Sequence, residues 1–334
     1  MIFNRILFLS LLITIGLSLK AQQFSYFTDL DSANAAYNKK DFQRAGTYYE
    51  KAFKSNGNKS VQGEFYNAAC TWSLAGKPDK AFKYLEDIIQ DHKNIIRSWN
   101  DPGEFYNMLV KDADFENLRK LPKWEKLLAR AKTKKEKFEA NLDQGLTEQL
   151  KTMREEDQKG RLELNKIQKE KGFNSAEEKA LWKVIDAQDS INLIKAKALI
   201  QSHGWLSPQQ VGYKGNQALF LIIQHADLAT QKQYLPLMRK SIAEGKISAS
   251  SLALLEDRIL MRENRKQIYG SQLRGTNGKY YLFPVQDVTN LDKKRASVGL
   301  GSISAYLKGF NLEWDTEAYK KQLQELVKEF AVKD

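Results

Sequence analysis

The chain has 334 residues, of which 42% are hydrophobic and 28% charged, proportions typical of a globular protein rather than a disordered one. Its 53 Lys and Arg against 41 Asp and Glu give a formal net charge of +12, and its length suggests about two domains. Three histidines and one cysteine, Cys70, are too few for a zinc finger or a disulfide scaffold. Beyond the N-terminus no apolar run reaches the roughly 18 residues of a membrane span, which excludes a polytopic membrane protein.

Residues 1–21 have the three-part layout of a secretory signal peptide. Arg5 precedes a nearly unbroken apolar run over 6–19, and Ala21 provides a small residue for cleavage. Because Arg5 and Lys20 are the only charged residues of this segment, its removal leaves a net charge of +10. We therefore expect a periplasmic or secreted protein without a membrane span after signal removal. Export also argues against a nucleic-acid partner, which the basic charge alone would suggest.

The first predicted domain, residues 22–135, begins with two helix-turn-helix units. Small and apolar residues recur 36 positions apart, as stacked helical hairpins require; the pairs are Ala33 and Ala69, Ala45 and Ala81, Tyr49 and Leu85, and Ala52 and Ile88. The pattern resembles the tetratricopeptide repeat, and Asp112-Ala113-Asp114-Phe115 with Leu118 and Trp124 resembles a short closing repeat. The resemblance implies a protein or peptide partner for residues 22–135. Three asparagines either line a groove for it or are simply exposed: Asn34, Asn38 and Asn67.

A highly charged segment, 126–183, follows. Its spacing of Leu142, Leu146, Leu150 and Met153 predicts a helix with one apolar stripe. The basic run over 132–137 either binds an anionic polymer or is a solvated helix face. Ser175, followed by two glutamates, is suited to begin the next helix.

Most candidate catalytic and ligand-binding residues lie in the second predicted domain, 136–334. They form short clusters on successive predicted helices: Asp157-Gln158 with Arg161, Asp186 with Asp189, Gln224-His225-Ala226-Asp227, and Asp257-Arg258, with Ser248 capping the last of these helices. A strand is predicted over 267–272, a tight turn at Asn277-Gly278, and a second strand over 279–285. The predicted fold is thus mainly α, a short repeat stack followed by a helical domain with a small antiparallel β-hairpin.

Several of these clusters resemble DUF6624, an uncharacterised bacterial domain family, over about residues 145–310. The resemblance rests on Asp157-Gln158, Gly204-Trp205, Gln224-His225-Ala226-Asp227, Asp257-Arg258, Gln267, Tyr269-Gly270-Ser271-Gln272, Arg295 and Val298-Gly299-Leu300. The chain departs from the family pattern at Leu206, where proline is usual, and at Ser271, where threonine is usual. The resemblance implies that helical repeats commonly precede this domain, and it implies no reaction.

Two ionisable residues lie on apolar helix faces, which predicts a buried polar cluster. Leu221 and Ile222 precede His225 by one helical turn, and Ala253 and Leu254 precede Asp257 by the same distance, so each ionisable residue shares a helix face with apolar ones. Buried charges need partners. The predicted catalytic set is His225, Asp227, Asp257, Arg258 and Ser271, and the predicted ligand-binding set is Asp157, Gln158, Gln224, Gln267, Tyr269 and Gln272.

Two interpretations of this cluster remain open. In the first it is a pocket, where His225 is a general base or metal ligand, Asp227 or Asp257 orients it, Arg258 holds an anionic group and Ser271 is a nucleophile. In the second it is a structural network that docks the helices and the hairpin. His-x-Asp is a weak metal motif and no metal site or cofactor is assigned. Three tyrosines either stack on a sugar or base or pack within strands: Tyr269, Tyr280 and Tyr281.

Three functions are compatible with these patterns. The first is an exported interaction protein whose repeats bind a protein while the second domain binds an unidentified ligand. The alternative is a cell-envelope hydrolase with its site in the second domain. The third is adhesion to an anionic glycan through the basic surface.

Overall fold

The computed structural model describes residues 25–96, 101–172, 174–276 and 279–333. It is mainly α-helical with one small antiparallel hairpin, which confirms the predicted fold class. The predicted signal peptide at 1–21 and the predicted turn at Asn277-Gly278 lie outside the described residues. Within the described ranges, no helix combines the length and the apolar character needed to span a bilayer.

The N-terminal part of the chain consists of short helices joined by tight turns. Two strands of two residues, β1 (Ser60–Val61) and β2 (Ile95–Ile96), pair in parallel. The helices are α1 (25–38), α2 (Phe42–Ser55), α3 (Gln62–Leu74), α4 (Pro78–Ile89), α5 (Pro102–Lys111), α6 (Glu116–Arg119) and α7 (Pro122–Ala140).

Longer helices follow, and four of them begin at a side chain that accepts a backbone N–H. These capping residues are Asp143, Ser175, Asp227 and Ser248, so the predicted caps at Ser175 and Ser248 are confirmed. The helices are α8 (Gln144–Lys171), α9 (Ala176–His203), α10 (Pro208–His225), α11 (Leu228–Ala243) and α12 (Ala249–Arg262). The remaining elements are β3 (Leu273–Thr276), β4 (Lys279–Leu282), α13 (Leu291–Ser297), α14 (Ile303–Lys308) and α15 (Thr316–Glu329).

Two compact units emerge from the packing. The described residues of the first lie in 25–96, 104–134 and 292–306, and those of the second in 101–103, 135–291 and 307–333. The segment 292–306, which the sequence assigns to the second domain, packs in the first unit. There Gly299, in the left-handed region at φ 78°, lies so close to Ile96 and Val61 that an added Cβ would come within 3.3 Å of both side chains.

The core of the first unit follows the 36-residue repeat. All eight matching positions are buried, so small residues admit close helix approach and large ones fill the space between helices. Two tyrosines also attach the closing segment: the Tyr66 hydroxyl donates to Asp112 at 2.8 Å, and the Tyr37 hydroxyl donates to Asp114 at 2.5 Å. Burial and these two carboxylates raise the pKa of the Cys70 thiol, which keeps it protonated and unreactive.

The position of the first hairpin strand differs from the prediction. β3 comprises Leu273–Thr276 and pairs with β4 in the register Leu273 opposite Leu282, whereas the strand was predicted over 267–272. Residues 267–272 form a loop that contacts the segment after β4 through an isolated bridge between Gln267 and Val285 and through the Phe283 N–H, which donates to the Gln272 carbonyl at 3.1 Å. The prediction was wrong because the buried Asp257 carboxylate takes up N–H groups of this segment that a strand would need for pairing.

A glycine allows the two longest helices to pack closely. Gly160 in α8 faces Ile185 in α9, and an added Cβ would lie 2.6 Å from the Ile185 Cγ1 atom. Ile185 is 3% exposed, so it has little room to move away. The absence of a side chain at 160 therefore fixes the spacing of α8 and α9.

We predict that Gly160→Ala destabilises the protein by about 1–3 kcal/mol, because the added methyl overpacks this contact. Gly63→Ala is the control, since nothing lies within 4 Å of a Cβ there. It should be neutral or stabilising by up to about 1 kcal/mol, because alanine favours helix. The measurement is urea unfolding followed by far-UV circular dichroism.

The same substitution in an Ile185→Ala background separates the clash from other effects. There Gly160→Ala should cost less, because the overlapping atoms have been removed. An undiminished cost in the double variant would contradict this explanation.

Candidate functional site

The candidate site is centred on a hydrogen bond between two helices of the second unit. His225, the last residue of α10, places Nδ1 2.9 Å from the Oδ1 atom of Asp157 in α8. Asp157 is 2% exposed, whereas the His225 side chain retains 14% exposure. The pair is therefore buried on the carboxylate side and accessible on the imidazole side.

Arg161 holds the carboxylate of Asp157 in place. Its Nη1 atom lies 3.3 Å from Oδ1 of Asp157 and donates to the Asp157 backbone carbonyl at 2.8 Å. The same guanidinium binds Asp189 of α9 through two hydrogen bonds of 3.0 and 2.7 Å. This bidentate geometry is the strongest form of an arginine–carboxylate pair. It links α8 to α9 at a position one helical turn from Asp157.

The charges of the pair follow from these surroundings. Burial alone would raise the pKa of Asp157, but hydrogen bonds from His225 and Gln158 and the charge of Arg161 hold it below its usual value. Burial lowers the pKa of His225, and the positive charges of Arg161 and Arg258 add to that effect against the pull of Asp157. At neutral pH we therefore assign an ionised Asp157 and a neutral His225.

A small cavity of about 230 Å³ opens beside His225. Since Nδ1 of the neutral ring donates to Asp157, Nε2 carries the lone pair. Within the part of the chain that the structure describes, Nε2 has no hydrogen-bond partner. The cavity is lined by Asp157, Asp186, Asp189, Ser190, Leu193, Ile222, His225, Ala226 and Asp227.

Asp227 has a different position from the one predicted. It is the N-cap of α11, where its Oδ1 accepts the Thr230 N–H at 2.7 Å. That backbone hydrogen bond and one from the Thr230 side chain lower the pKa of Asp227. Asp227 contributes an exposed carboxylate to the cavity, and the hydrogen bond that orients His225 comes from Asp157 rather than from Asp227 or Asp257.

A second predicted group gathers around Asp257 and stabilises a loop. The fully buried Asp257 carboxylate accepts N–H groups from Ile268 at 2.7 Å, Tyr269 at 3.1 Å and Ser271 at 2.9 Å. Burial raises the pKa of Asp257, although these donors act in the opposite direction. The Asp257 carboxylate thus accepts the backbone hydrogen bonds that a neighbouring strand would otherwise accept.

Two glutamines complete this loop network. Gln267 is fully buried and donates to the carbonyls of Gln272 at 3.1 Å and Phe283 at 2.6 Å, while its Oε1 atom accepts the Gln272 N–H at 2.9 Å. The Ser271 hydroxyl is 3.0 Å from Nε2 of Gln272 and also hydrogen-bonds to Asp257. Ser271 is not among the residues that line the His225 cavity. The predicted hydroxyl, imidazole and carboxylate set is therefore not brought together around this cavity.

The other predicted residues divide between the two groups. Gln158 donates to Asp157 at 2.7 Å, and Arg258 acts on His225 through its charge. Gln224 is buried and donates to the Leu254 carbonyl at 3.3 Å, which links α10 to α12. Tyr269 belongs to the loop around Asp257 through its N–H.

His225 does not belong to a preformed set of metal ligands. Among the described residues, three ligand atoms come within 4.8 Å of one another at Cys70, Asp112 and Asp114 of the first unit. The carboxylates of that group already accept hydrogen bonds from Tyr66 and Tyr37. We assign no metal site to either place.

Sequence reasoning singled out Arg161 and Asp189 as members of charged clusters but assigned them no role in the site. The signal was the separation of four between Asp157 and Arg161, which puts both on one face of a helix. The pairing of Arg161 with Asp189 depends on which faces of α8 and α9 meet, and short-range spacing does not encode that.

Residues 144–319, which are 176 of the 334 residues, match DUF6624, a family of unknown function. The chain belongs to this family. Searches among curated proteins and among solved structures returned no match. The DUF6624 region contains the complete His225 cavity and the loop around Asp257.

We predict that the His225 site makes the stability of the protein fall as pH drops from 7.5 to 5. The folded chain has a His225 pKa below the ordinary value of 6.5, so the unfolded chain takes up this proton first. Protonation therefore favours unfolding as pH falls through and below 6.5. In His225→Gln this contribution should disappear, which flattens the pH dependence of the free energy of urea unfolding.

His203→Gln is the matched control, because His203 is exposed at the end of α9. It should still lose stability as pH falls, because the pair of His225 and Asp157 is unchanged. Equal slopes for wild type and His225→Gln would contradict a neutral, buried His225.

Proposed function

We propose that the DUF6624 domain of this chain is a hydrolytic domain in which His225 is the general base. The observation that carries the proposal is the 2.9 Å contact of Nδ1 with the ionised Asp157, which leaves Nε2 beside a cavity and without a partner among the described residues. A carboxylate bonded to one ring nitrogen fixes the tautomer and raises the basicity of the other. This is the arrangement that general-base catalysis requires.

The proposed reaction needs no further group of the protein for proton transfer. Nε2 of His225 takes a proton from a water molecule while the water oxygen forms a bond to the acyl carbon of the substrate and the carbonyl π electrons move to the carbonyl oxygen. The carbonyl then re-forms as the bond from that carbon to the leaving group breaks, and the imidazolium returns the proton to the leaving atom. Asp157 remains ionised throughout and stabilises the transient positive charge.

The cavity wall restricts the substrate. Its volume of about 230 Å³ is smaller than the roughly 300–1,000 Å³ of ordinary ligand pockets, so it admits one small group of a larger molecule. Four of its nine lining residues are aspartates, two of which, Asp157 and Asp189, are paired with Arg161, and a carboxylate group only accepts hydrogen bonds when it is ionised. An acyl group that carries an ammonium or another N–H donor is therefore favoured over one that carries a carboxylate or phosphate.

The test compares three activated esters that differ in acyl charge and cannot cyclise: p-nitrophenyl 4-(aminomethyl)benzoate, p-nitrophenyl 4-methylbenzoate and mono-p-nitrophenyl terephthalate. We expect the cationic ester to give the highest kcat/KM and the anionic ester the lowest. His225→Gln should reduce kcat/KM for the cationic ester by about 100-fold or more, the contribution of a positioned base. Asp157→Asn should also reduce it, because the ring loses its orienting partner.

His203→Gln distinguishes this site from nonspecific hydrolysis by surface groups. It should hydrolyse all three esters like wild type. A rate that falls equally in both histidine variants, or a rate that His225→Gln leaves unchanged, would refute the proposal and favour a purely structural role for Asp157 and His225.

A second proposed function concerns the first unit, for which we infer a protein- or peptide-binding role of the tetratricopeptide type. The support is the pair of helical hairpins, α1 with α2 and α3 with α4, whose repeat positions are all buried. Asn34, Asn38 and Asn67 are exposed on α1 and α3, the first helix of each hairpin. Amide side chains on such helices are suited to bind the backbone of an extended peptide.

We further propose that the protein acts in the periplasm or after secretion. The support is the basic, apolar and small-residue order of 1–21. In this view the repeats bind an envelope or extracellular protein and bring the hydrolytic domain to its substrate.

The interaction proposal is tested by retention of envelope proteins on the immobilised chain. We expect one or more proteins retained by wild type to be lost with Asn38→Ala/Asn67→Arg, because the double variant removes both exposed amides and places a bulky cation at 67. Gln43→Arg, at an exposed position of α2, should retain them. Identical retention by all three chains would reject this surface.

A further inference from the structure

Another cavity of the second unit, larger than the one beside His225, shares no lining residue with it and has a different chemical character. Its volume is about 1,230 Å³, and it is bordered by the C-terminal half of α8, by β4, by residues 309–315 and by α15. The volume exceeds the upper limit of about 1,000 Å³ for ordinary small-molecule pockets, so it suits an extended ligand.

Two pairs of aromatic rings form one side of this groove. Tyr280 on β4 meets Phe310 edge-on, with ring centroids 6.2 Å apart, and Phe310 is 43% exposed. Trp314 is half-buried against Tyr319, with centroids 5.0 Å apart. Tyr319 is buried and donates its hydroxyl to the Phe283 carbonyl at 3.2 Å, which fixes the platform behind Trp314.

Amide side chains supply the polar part of the groove. Asn165 on α8, Asn311 and Gln322 on α15 all line it. Within the described ranges, none of these three side chains has a hydrogen-bond partner. Each amide offers donors and an acceptor together, which matches a ligand whose hydroxyls also donate and accept.

The charged residues of the groove cancel. Lys169 and Lys279 are balanced by Glu313 and Asp315. A nucleic acid or another polyanion binds through a surplus of basic groups, which this groove lacks although the whole chain is basic. A neutral ligand is therefore favoured.

From this juxtaposition of ring faces, exposed amides and balanced charge, we propose that the groove binds a neutral oligosaccharide. The apolar C–H face of a pyranose ring packs on an aromatic ring, while its hydroxyls hydrogen-bond to amides. Trp314 and Phe310 provide the ring faces, and Asn165, Asn311 and Gln322 bind the hydroxyls. The site is independent of the proposed hydrolytic site.

The experiment is isothermal titration of the full chain with three neutral tetrasaccharides: chitotetraose, cellotetraose and maltotetraose. Polygalacturonate serves as the anionic comparison. We expect at least one neutral tetrasaccharide to bind and Trp314→Ala to weaken that binding about tenfold or more, the loss expected for a removed stacking ring. Trp182→Ala is the matched control, since Trp182 is 40% exposed on α9 and does not line the groove.

Two further variants keep the test decisive if Trp314→Ala does not fold. Phe310→Ala and Asn165→Ala replace exposed side chains, and each should weaken binding while circular dichroism remains that of wild type. His225→Gln should bind the tetrasaccharide as wild type does, which separates this site from the hydrolytic one. Absence of binding to all three tetrasaccharides, binding of polygalacturonate alone, or unchanged affinity in the groove variants would overturn the proposal.

Discussion

The arrangement of the second unit depends on one guanidinium group. Arg161 connects Asp157 of α8 with Asp189 of α9, and the two carboxylates neutralise a charge that is only 18% exposed. A partly buried arginine is stable there because its donors are satisfied in fixed, bidentate geometry. Asp157 in turn fixes His225 on α10. A single ion-pair network thus links three helices and determines the protonation of the imidazole ring. Gly160 allows α8 and α9 to approach closely enough for Arg161 to contact both carboxylates.

Local sequence signals predicted the helical architecture well. Helix starts at Ser175 and Ser248 were recognisable because capping is encoded within four residues, and the buried repeat positions follow from the 36-residue period. The site itself was only half recognisable. Apolar neighbours showed that His225 and Asp257 need partners, but 68 positions separate His225 from Asp157. Asp227 lies only two positions from His225 in sequence. Its side chain is nevertheless used as the N-cap of α11, where it accepts the Thr230 N–H.

The misplaced strand shows a second limit of pattern reasoning. Residues 267–272 alternate like a strand, yet the N–H groups of Ile268, Tyr269 and Ser271 go to the carboxylate of Asp257. One side chain from α12 therefore competes successfully with a neighbouring strand for backbone donors. Such competition depends on burial, because a carboxylate buried without donors would carry a large desolvation cost. The polar residues that the sequence placed in one cluster form two separate networks. The network around Asp257 stabilises a loop, and the network around Asp157 orients His225 so that its Nε2 atom faces the cavity.

The short connection between α8 and α9 has a consequence for the order of folding. Each helix has 28 residues and so extends about 42 Å, and only four residues separate them. Contacts between segments that are near in sequence form early, because little loop entropy is lost on closure. We expect this hairpin, with Arg161 already between its two carboxylates, to form before α10 docks. Pulsed hydrogen exchange during refolding would show protection in α8 and α9 ahead of α10, and simultaneous protection would refute this order. The anionic half of the site would then act as a template, selecting the docked position of α10 in which His225 reaches Asp157.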